Sequence, residues 1–584
     1  MKIASVRARE PEREEVRSFF GLNRRQARRT GESRDELNVS ADVYPFLSPR
    51  RDEVRLTNEF GTCRTLMMKD RAVWITEQGD AGPAKLFYAG RETGLELTRG
   101  KKQTVLMGTK IIVFPDAAYY DTATGEVGSL DAVFTSAMNV PVRCTLCRLD
   151  GESYVYETSV AAPADPADGA LWCDISGEAP RLMAYSGDGV WVEVDSTYVK
   201  IESPGIGSKF ASGDGVTLTN FATPGVGGAA VVAERGNDYI IVPGLISYVT
   251  EQFTPVTVSR LSPLVDFVVE SGNRLWGCRH GLDRAGNFVN EIYATKLGDP
   301  TNWNVFSGLV SDSYAASVGT DGPFTGCSVF LGNPTFFKER YVHKVLGTRP
   351  SNFQIVTGTI PGVAKGASES VAQCADILYY LSNEGFMAYD GTIPWSVSEQ
   401  LGDMSPEGSV ASSKGNRVYL YASCGGEFGL YVYHTDLSIW HRYSCGNIEA
   451  MAPSASGVLV SSDGCLSVID SNDLGASASG ETGFDGRDVI EEPWYFETGE
   501  LTAERADMYV EKLEVTASVP PGGELRLTLI SGEDEKTVTM AMRPTVRRTL
   551  TVPVVTGRSR RYRIKIAGRG RAVVYSITKF VERI

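Results

Sequence analysis

Short apolar runs, each introduced by a small polar turn, recur along almost the whole chain. Lys69-Asp70-Arg71 precedes Ala72-Val73-Trp74-Ile75-Thr76, and Gly108-Thr109-Lys110 precedes Ile111-Ile112-Val113-Phe114. Gly272-Asn273-Arg274 precedes Leu275-Trp276-Gly277-Cys278, and Gly415-Asn416-Arg417 precedes Val418-Tyr419-Leu420-Tyr421. Cys327–Leu331, Ile377–Leu381 and Gly457–Val460 complete a set of seven. Runs of this length, rich in β-branched and aromatic residues and bounded by Gly, Asn and Asp, predict strands. They are continuous rather than alternating, which predicts burial on both faces. Starting positions near 71, 110, 274, 327, 377, 417 and 457 are separated by 39, 164, 53, 50, 40 and 40 residues. Four-stranded propeller blades recur every ~40–50 residues. The fold expected is therefore all-β: a β-propeller of about seven blades. The one long step is a blade plus an insertion of roughly 120 residues. An irregular β-sandwich with fortuitous spacing is the competing reading.

The expected organisation has five parts. Residues 1–36 form an N-terminal helix and basic arm. Residues 37–139 form the first part of the propeller, 140–260 an inserted β-domain, and 261–488 the second part of the propeller. Residues 489–584 form a C-terminal β-sandwich. The helix is placed at 11–20, where Pro11 suits the first turn, the Glu residues suit the dipole and Gly21 supplies a stop. The insertion carries strands at 154–156, 190–194 and 239–242 and a Pro/Ala/Asp tip, Ala161 to Ala170. In the last hundred residues six alternating segments (511–519, 524–530, 537–540, 547–552, 562–566 and 572–577) predict the sandwich. Pro520 to Gly523 and Ser531 to Asp534 are read as hairpin turns.

Composition adds size and location. A chain of 584 residues is too long for one core, and 42% apolar with 10% aromatic content is ample for packing. No apolar run is long enough to span a bilayer, and Met1 to Arg17 is too charged for a signal peptide. The protein is expected neither to insert in a membrane nor to leave by a standard signal. Ten scattered cysteines read as buried thiols of a protein made in a reducing cytoplasm.

Charge is unevenly spread. Residues 1–34 hold ten Lys or Arg against five Glu, net +5, and 543–584 hold twelve against one Glu, net +11. Since the whole chain is −14, the middle is −30. Such asymmetry points to different partners for different parts. Arg24, Arg25, Arg28 and Arg29 either dock on an acidic neighbouring protein or form a solvated arm; Phe19 and Phe20 could anchor it.

Chemistry is mostly missing. His280, His343, His434 and His441 stand in no HExxH or triad context. His434 and His441 flank one hairpin and are read as partly exposed polar residues. Cys144 and Cys147 form a CxxC with Cys173 further on. Without a second pair, and on a strand where residues three apart face opposite sides, this is read as structural rather than zinc-binding. Gly205-Ile206-Gly207 and Gly225 to Gly228 lack the strand-then-helix context of a phosphate cradle and read as turns. Ser186-Gly187-Asp188-Gly189-Val190-Trp191 approaches a sialidase box, but its glycine and tryptophan fall at other offsets. No catalytic, cofactor-binding or metal residues are assigned, and no cofactor is expected. The chain is expected not to be an enzyme.

Segment 358–402 carries a resemblance. It runs Gly358-Thr359-Ile360-Pro361-Gly362-Val363-Ala364-Lys365-Gly366, then Ile377-Leu378-Tyr379-Tyr380-Leu381. It continues with Asn383-Glu384-Gly385-Phe386-Met387-Ala388-Tyr389-Asp390-Gly391. This Gly-rich turn, aromatic strand and strand ending at Asp-Gly resembles a blade of the tail nozzle proteins of short-tailed bacteriophages. The family is also described as tail hub or packaged-DNA stabilisation proteins. Asp42-Val43-Tyr44-Pro45-Phe46-Leu47-Ser48-Pro49-Arg50 and the closing sandwich fit the same layout. The resemblance implies a structural virion protein made in the host bacterial cytoplasm. It implies a homo-oligomeric, hexameric ring below the phage portal and adaptor, in the head-tail connector complex. The ring would retain packaged genomic DNA, touch it transiently and non-specifically, and pass it during ejection; the acidic middle then fits either the lumen of such a channel, which must not hold DNA, or a surface kept soluble by repulsion. The alternative is a receptor- or glycan-binding tail propeller whose recognition module is the insertion. A carbohydrate-active enzyme is the third reading, requiring a positioned carboxylate pair.

Overall fold

The computed structural model describes residues 12–26, 29–502, 508–531, 536–553 and 561–583. Seven antiparallel sheets follow one another: blades 1 (62–97), 2 (103–129), 3 (267–317), 4 (326–358), 5 (372–396), 6 (404–443) and 7 (448–469). Blade 7 supplies three strands of its own. Its fourth is Glu53–Thr57, from before blade 1, with Val54 opposite Val468. The same strand pairs on its other edge with Asp488–Ile490.

The second strand of each blade shows why the sequence reads as unbroken apolar runs. Its side chains divide between the two neighbouring blades. In blade 1, Val73 and Ile75 pack with Ile111 and Val113 of blade 2, while Trp74 packs with Leu459 and Val468 of blade 7. Ile112 and Phe114 of blade 2 meet Val268 and Leu275 of blade 3. Trp276 and Cys278 meet Phe336 of blade 4. Phe337, Leu378, Tyr380, Val418 and Leu420 form one core through blades 4, 5 and 6. Tyr419 and Tyr421 meet Val458 and Val460 of blade 7. Cores thus lie between successive blades all the way round, and the first strand of blade 7 packs on that of blade 1. The sheets form a closed seven-bladed propeller. Turn chemistry agrees: Gly272 and Asn273, at φ 62° and 59°, form a tight two-residue turn before Leu275.

The insertion is three small sheets around one core that includes Val199, Ile201, Phe210, Leu218, Ile240 and Val258. Ala132–Thr135 pairs with Thr257–Arg260, so the strand placed in the propeller by sequence belongs to the inserted unit. Asn302 of blade 3 anchors it, accepting from Gly215 N–H at 2.9 Å and donating to Asp214 at 2.9 Å.

The sandwich has one sheet of Glu12–Val16, Val573–Arg583, Met508–Val519 and Thr545–Pro553. The other holds Ser33–Leu37, Trp494–Thr498, Arg561–Arg569, Glu524–Ser531 and Lys536–Met542. Two expectations are corrected here. The predicted helix at 11–20 is instead a strand, Glu12–Val16, on the edge beside Val573–Arg583. Its capping signals are local, while Val16 packs on the sandwich core and Glu14 pairs with Lys579 at 2.8 Å. Pro520 to Gly523 is not a hairpin turn, because Met508–Val519 and Glu524–Ser531 lie in different sheets. Alternating strands satisfy either arrangement, since both bury one face in the same core.

The sandwich is tied to blade 6 through Glu36. Its buried carboxylate accepts from His441 Nδ1 at 2.6 Å and from Ser33 Oγ at 2.7 Å.

Candidate functional site

The inserted domain turns one face of a small sheet to solvent. Its strands, in order, are Glu157–Ser159, Leu171–Asp174, Arg181–Ser186 and Val190–Glu193. Cys173 and Leu182 point into the domain core and fix the sheet's inner side. The alternation of strands then places Trp172, Met183, Tyr185 and Trp191 on the outer side. The register brings them together: Glu157, Trp172, Met183 and Glu193 stand opposite one another across four strands, and Tyr185 stands opposite Trp191.

Trp172 is the floor of this face. Its indole N–H donates to the Ser159 carbonyl at 3.1 Å and hydroxyl at 3.0 Å, which fixes the ring. Trp191 meets it edge-on with centroids 5.4 Å apart, and Tyr185 lies 5.2 Å from Trp191. Both are half-buried, so ring surface remains open. The tip segment lies alongside: Gly169 N–H donates to the Tyr185 carbonyl, and Tyr185 N–H to the Ala170 carbonyl. Asp168 reaches the turn, where a Cβ on Gly187 would come within 3.3 Å of its carboxylate. Asp174 pairs with Arg181 at 2.9 Å; hydrogen bonds from Ser176 and the guanidinium hold its carboxyl below the usual range. Aromatic faces edged by fixed polar groups suit a ligand with both apolar and hydrogen-bonding surface.

Of the features singled out by sequence, the Ala161 to Ala170 tip borders this face, Cys173 lies on the sheet's inner side, and one segment forms part of the face itself. Ser186 to Trp191, read as a failed sialidase box, is the hairpin that carries Trp191 onto this face. His434 and His441 are corrected from partly exposed to buried, each 2% exposed, with rings 5.3 Å apart. Cys144, Cys147 and Cys173 are free and buried in the inserted domain; burial pushes the Cys147 thiol up to about 11. Arg24 lies over the Tyr431 ring and Arg25 pairs with Glu399 at 3.1 Å, both on the chain's own propeller. Arg28 lies outside the described residues. Phe19 is buried in the sandwich core. Among the described residues no group of three His, Cys, Asp or Glu is placed to hold a metal ion. Among them, too, no helix is long and apolar enough to cross a membrane.

No family model and no curated protein matches the chain. Solved structures do. The chain is similar to the phage phi92 endosialidase at 10% identity and TM-score 0.25, over 76% of this chain and 69% of that one. It is similar to PorZ, a surface component of the type-IX secretion system of Porphyromonas gingivalis. That match has 12% identity and TM-score 0.25, over 86% and 81%. It is also similar to an exo-β-1,3-galactanase of Phanerochaete chrysosporium, at 10% identity and TM-score 0.20, over 53% and 95%. Glycoside hydrolases recur in this comparison, and they overturn the expectation, drawn from missing motifs, that the chain is not an enzyme.

Proposed function

We propose that this chain is a saccharide-binding propeller of a bacteriophage tail, with the outer face of the inserted sheet as its contact surface. The observation that carries the reading is the cluster of Trp172, Tyr185 and Trp191, assembled by register on an outward face and edged by Glu157 and Glu193. Sugar rings present apolar C–H faces that lie on indole and phenol rings, while their hydroxyls donate to carboxylates. The tail setting follows from the resemblance of segment 358–402 to tail proteins.

Trp191→Ala is expected to weaken binding of the purified chain to its polysaccharide by about thirtyfold. An aromatic anchor of this kind contributes ~2 kcal/mol. The ring is half-buried and at the sheet edge, so the thermal unfolding midpoint should stay near that of the parent chain. Surface plasmon resonance against immobilised bacterial polysaccharides measures the affinity. Unchanged affinity in a folded Trp191→Ala chain sinks the proposal.

A further inference from the structure

Resting on the saccharide reading, we infer that the aromatic face of the inserted sheet takes uncharged hexose chains and rejects acidic ones. The inference comes from charge around the rings. Residues 157–195 contain eight Asp or Glu against one basic residue, Arg181, a net charge of −7. That arginine is committed to Asp174, which is almost completely buried. The two carboxylates that flank the aromatic row, Glu157 and Glu193, are exposed, as are Asp168 and Asp188 beside the Tyr185 end.

Glu157 and Glu193 sit at opposite ends of one cross-strand row. Three interstrand spacings separate them, about 14 Å. A short oligosaccharide laid along the row therefore has a carboxylate at each end, Trp172 and Met183 between them, and the half-open rings of Tyr185 and Trp191 alongside. Hydroxyl groups of a neutral sugar donate to such carboxylates in charge-assisted bonds. A sialic or uronic acid would bring its own carboxylate within a Debye length, roughly 8–10 Å, of several like charges. Recognition of an anion at close range calls for Arg or Lys donors, and within 157–195 the one available is occupied.

The experiment uses the full chain and two sets of immobilised probes. One set holds neutral galactan, glucan and mannan polymers; the other holds polysialic and polygalacturonic acid. At least one neutral polymer is expected to bind tenfold or more tightly than either acidic polymer, and that binding is expected to fall on Trp191→Ala. The Glu157→Gln/Glu193→Gln double variant should raise retention on polysialic acid about threefold at low salt, an effect that high salt removes. Trp191-dependent binding that prefers an acidic polymer would overturn this inference and leave the saccharide reading standing. Binding that ignores Trp191 on every probe removes both.

Discussion

Val54→Asp is expected to prevent the propeller from closing. Val54 is fully buried in Glu53–Thr57, the strand that joins the start of the propeller to its last blade. Both edges of this strand are paired, by Leu466 to Val468 on one side and Asp488–Ile490 on the other. A carboxyl there has apolar surroundings, with Val468 and Val489 opposite it. Burying an unpaired carboxylate in such a site costs ~4 kcal/mol or more, a large share of the ~5–15 kcal/mol that holds a typical domain together. Val489→Asp is the control. It pairs with Val54 but is 47% exposed, so its cost should stay within about 0.5 kcal/mol. Circular dichroism melts and limited proteolysis distinguish the two. A Val54→Asp chain that melts with the parent would show that the ring does not depend on this strand.

Stability is expected to fall as pH drops from 6.5 to 4.5. Burial, with His441 and Arg417 nearby, lowers the His434 imidazole to about 2; burial, with Lys338 nearby, lowers His343 to about 4. Both are neutral in the folded chain and take up a proton near pH 6.5 when unfolded. The unfolded state then binds more protons, so their stabilisation is complete above pH 6.5 and is lost below it. Each contributes ~1.4 kcal/mol per pH unit, or roughly 5 kcal/mol for the pair over that interval. Glu77 behaves differently. Hydrogen bonding to Arg64 lowers its carboxyl to about 2, so its stabilisation is lost only below about 4.5, the ordinary glutamate value. His434→Phe keeps the ring shape and removes one titrating group, so it should roughly halve the slope between pH 6.5 and 4.5. Urea midpoints at several pH values measure it, and parallel curves for parent and variant would count against the buried-imidazole account.

The propeller was legible because its second strands are packed from both sides. Six of the seven predicted runs are second strands of blades. The exception, Cys327–Leu331, falls on a first strand, Gly326–Phe330, with Leu331 in the turn that follows. The second strand there is Asn333–Lys338, which opens on Gly332-Asn333-Pro334 and so reads locally as a turn. Proline is tolerated because it falls at the strand's start. Glu53–Thr57 was not legible as part of blade 7, since nothing in Glu-Val-Arg-Leu-Thr names a partner some 400 residues away. The aromatic face was half legible. Trp172, Tyr185 and Trp191 are plain in the sequence, but only the register of three strands shows that they share one side. The buried histidine pair misled for a related reason: hairpin flanks are often exposed, and here Glu36 arrives from a distant strand to meet His441, against which the His434 ring packs.

The closure of the ring also bears on how the chain is made. Glu12–Val16, Ser33–Leu37 and Glu53–Thr57 leave the ribosome early, yet their partners lie beyond residue 465. At ~5–20 residues per second, Glu53–Thr57 waits roughly 20–80 s with open edges. The inserted domain, whose ladders all close within 132–260, can fold meanwhile. Ribosome-stalled chains ending before residue 448 should therefore resist protease within 132–260 and be cut near residue 55. Protection at both places would mean that the early strands find temporary partners. An organism making this protein thus carries a long interval of exposed strand edge, and its chaperones are the natural guardians of that interval.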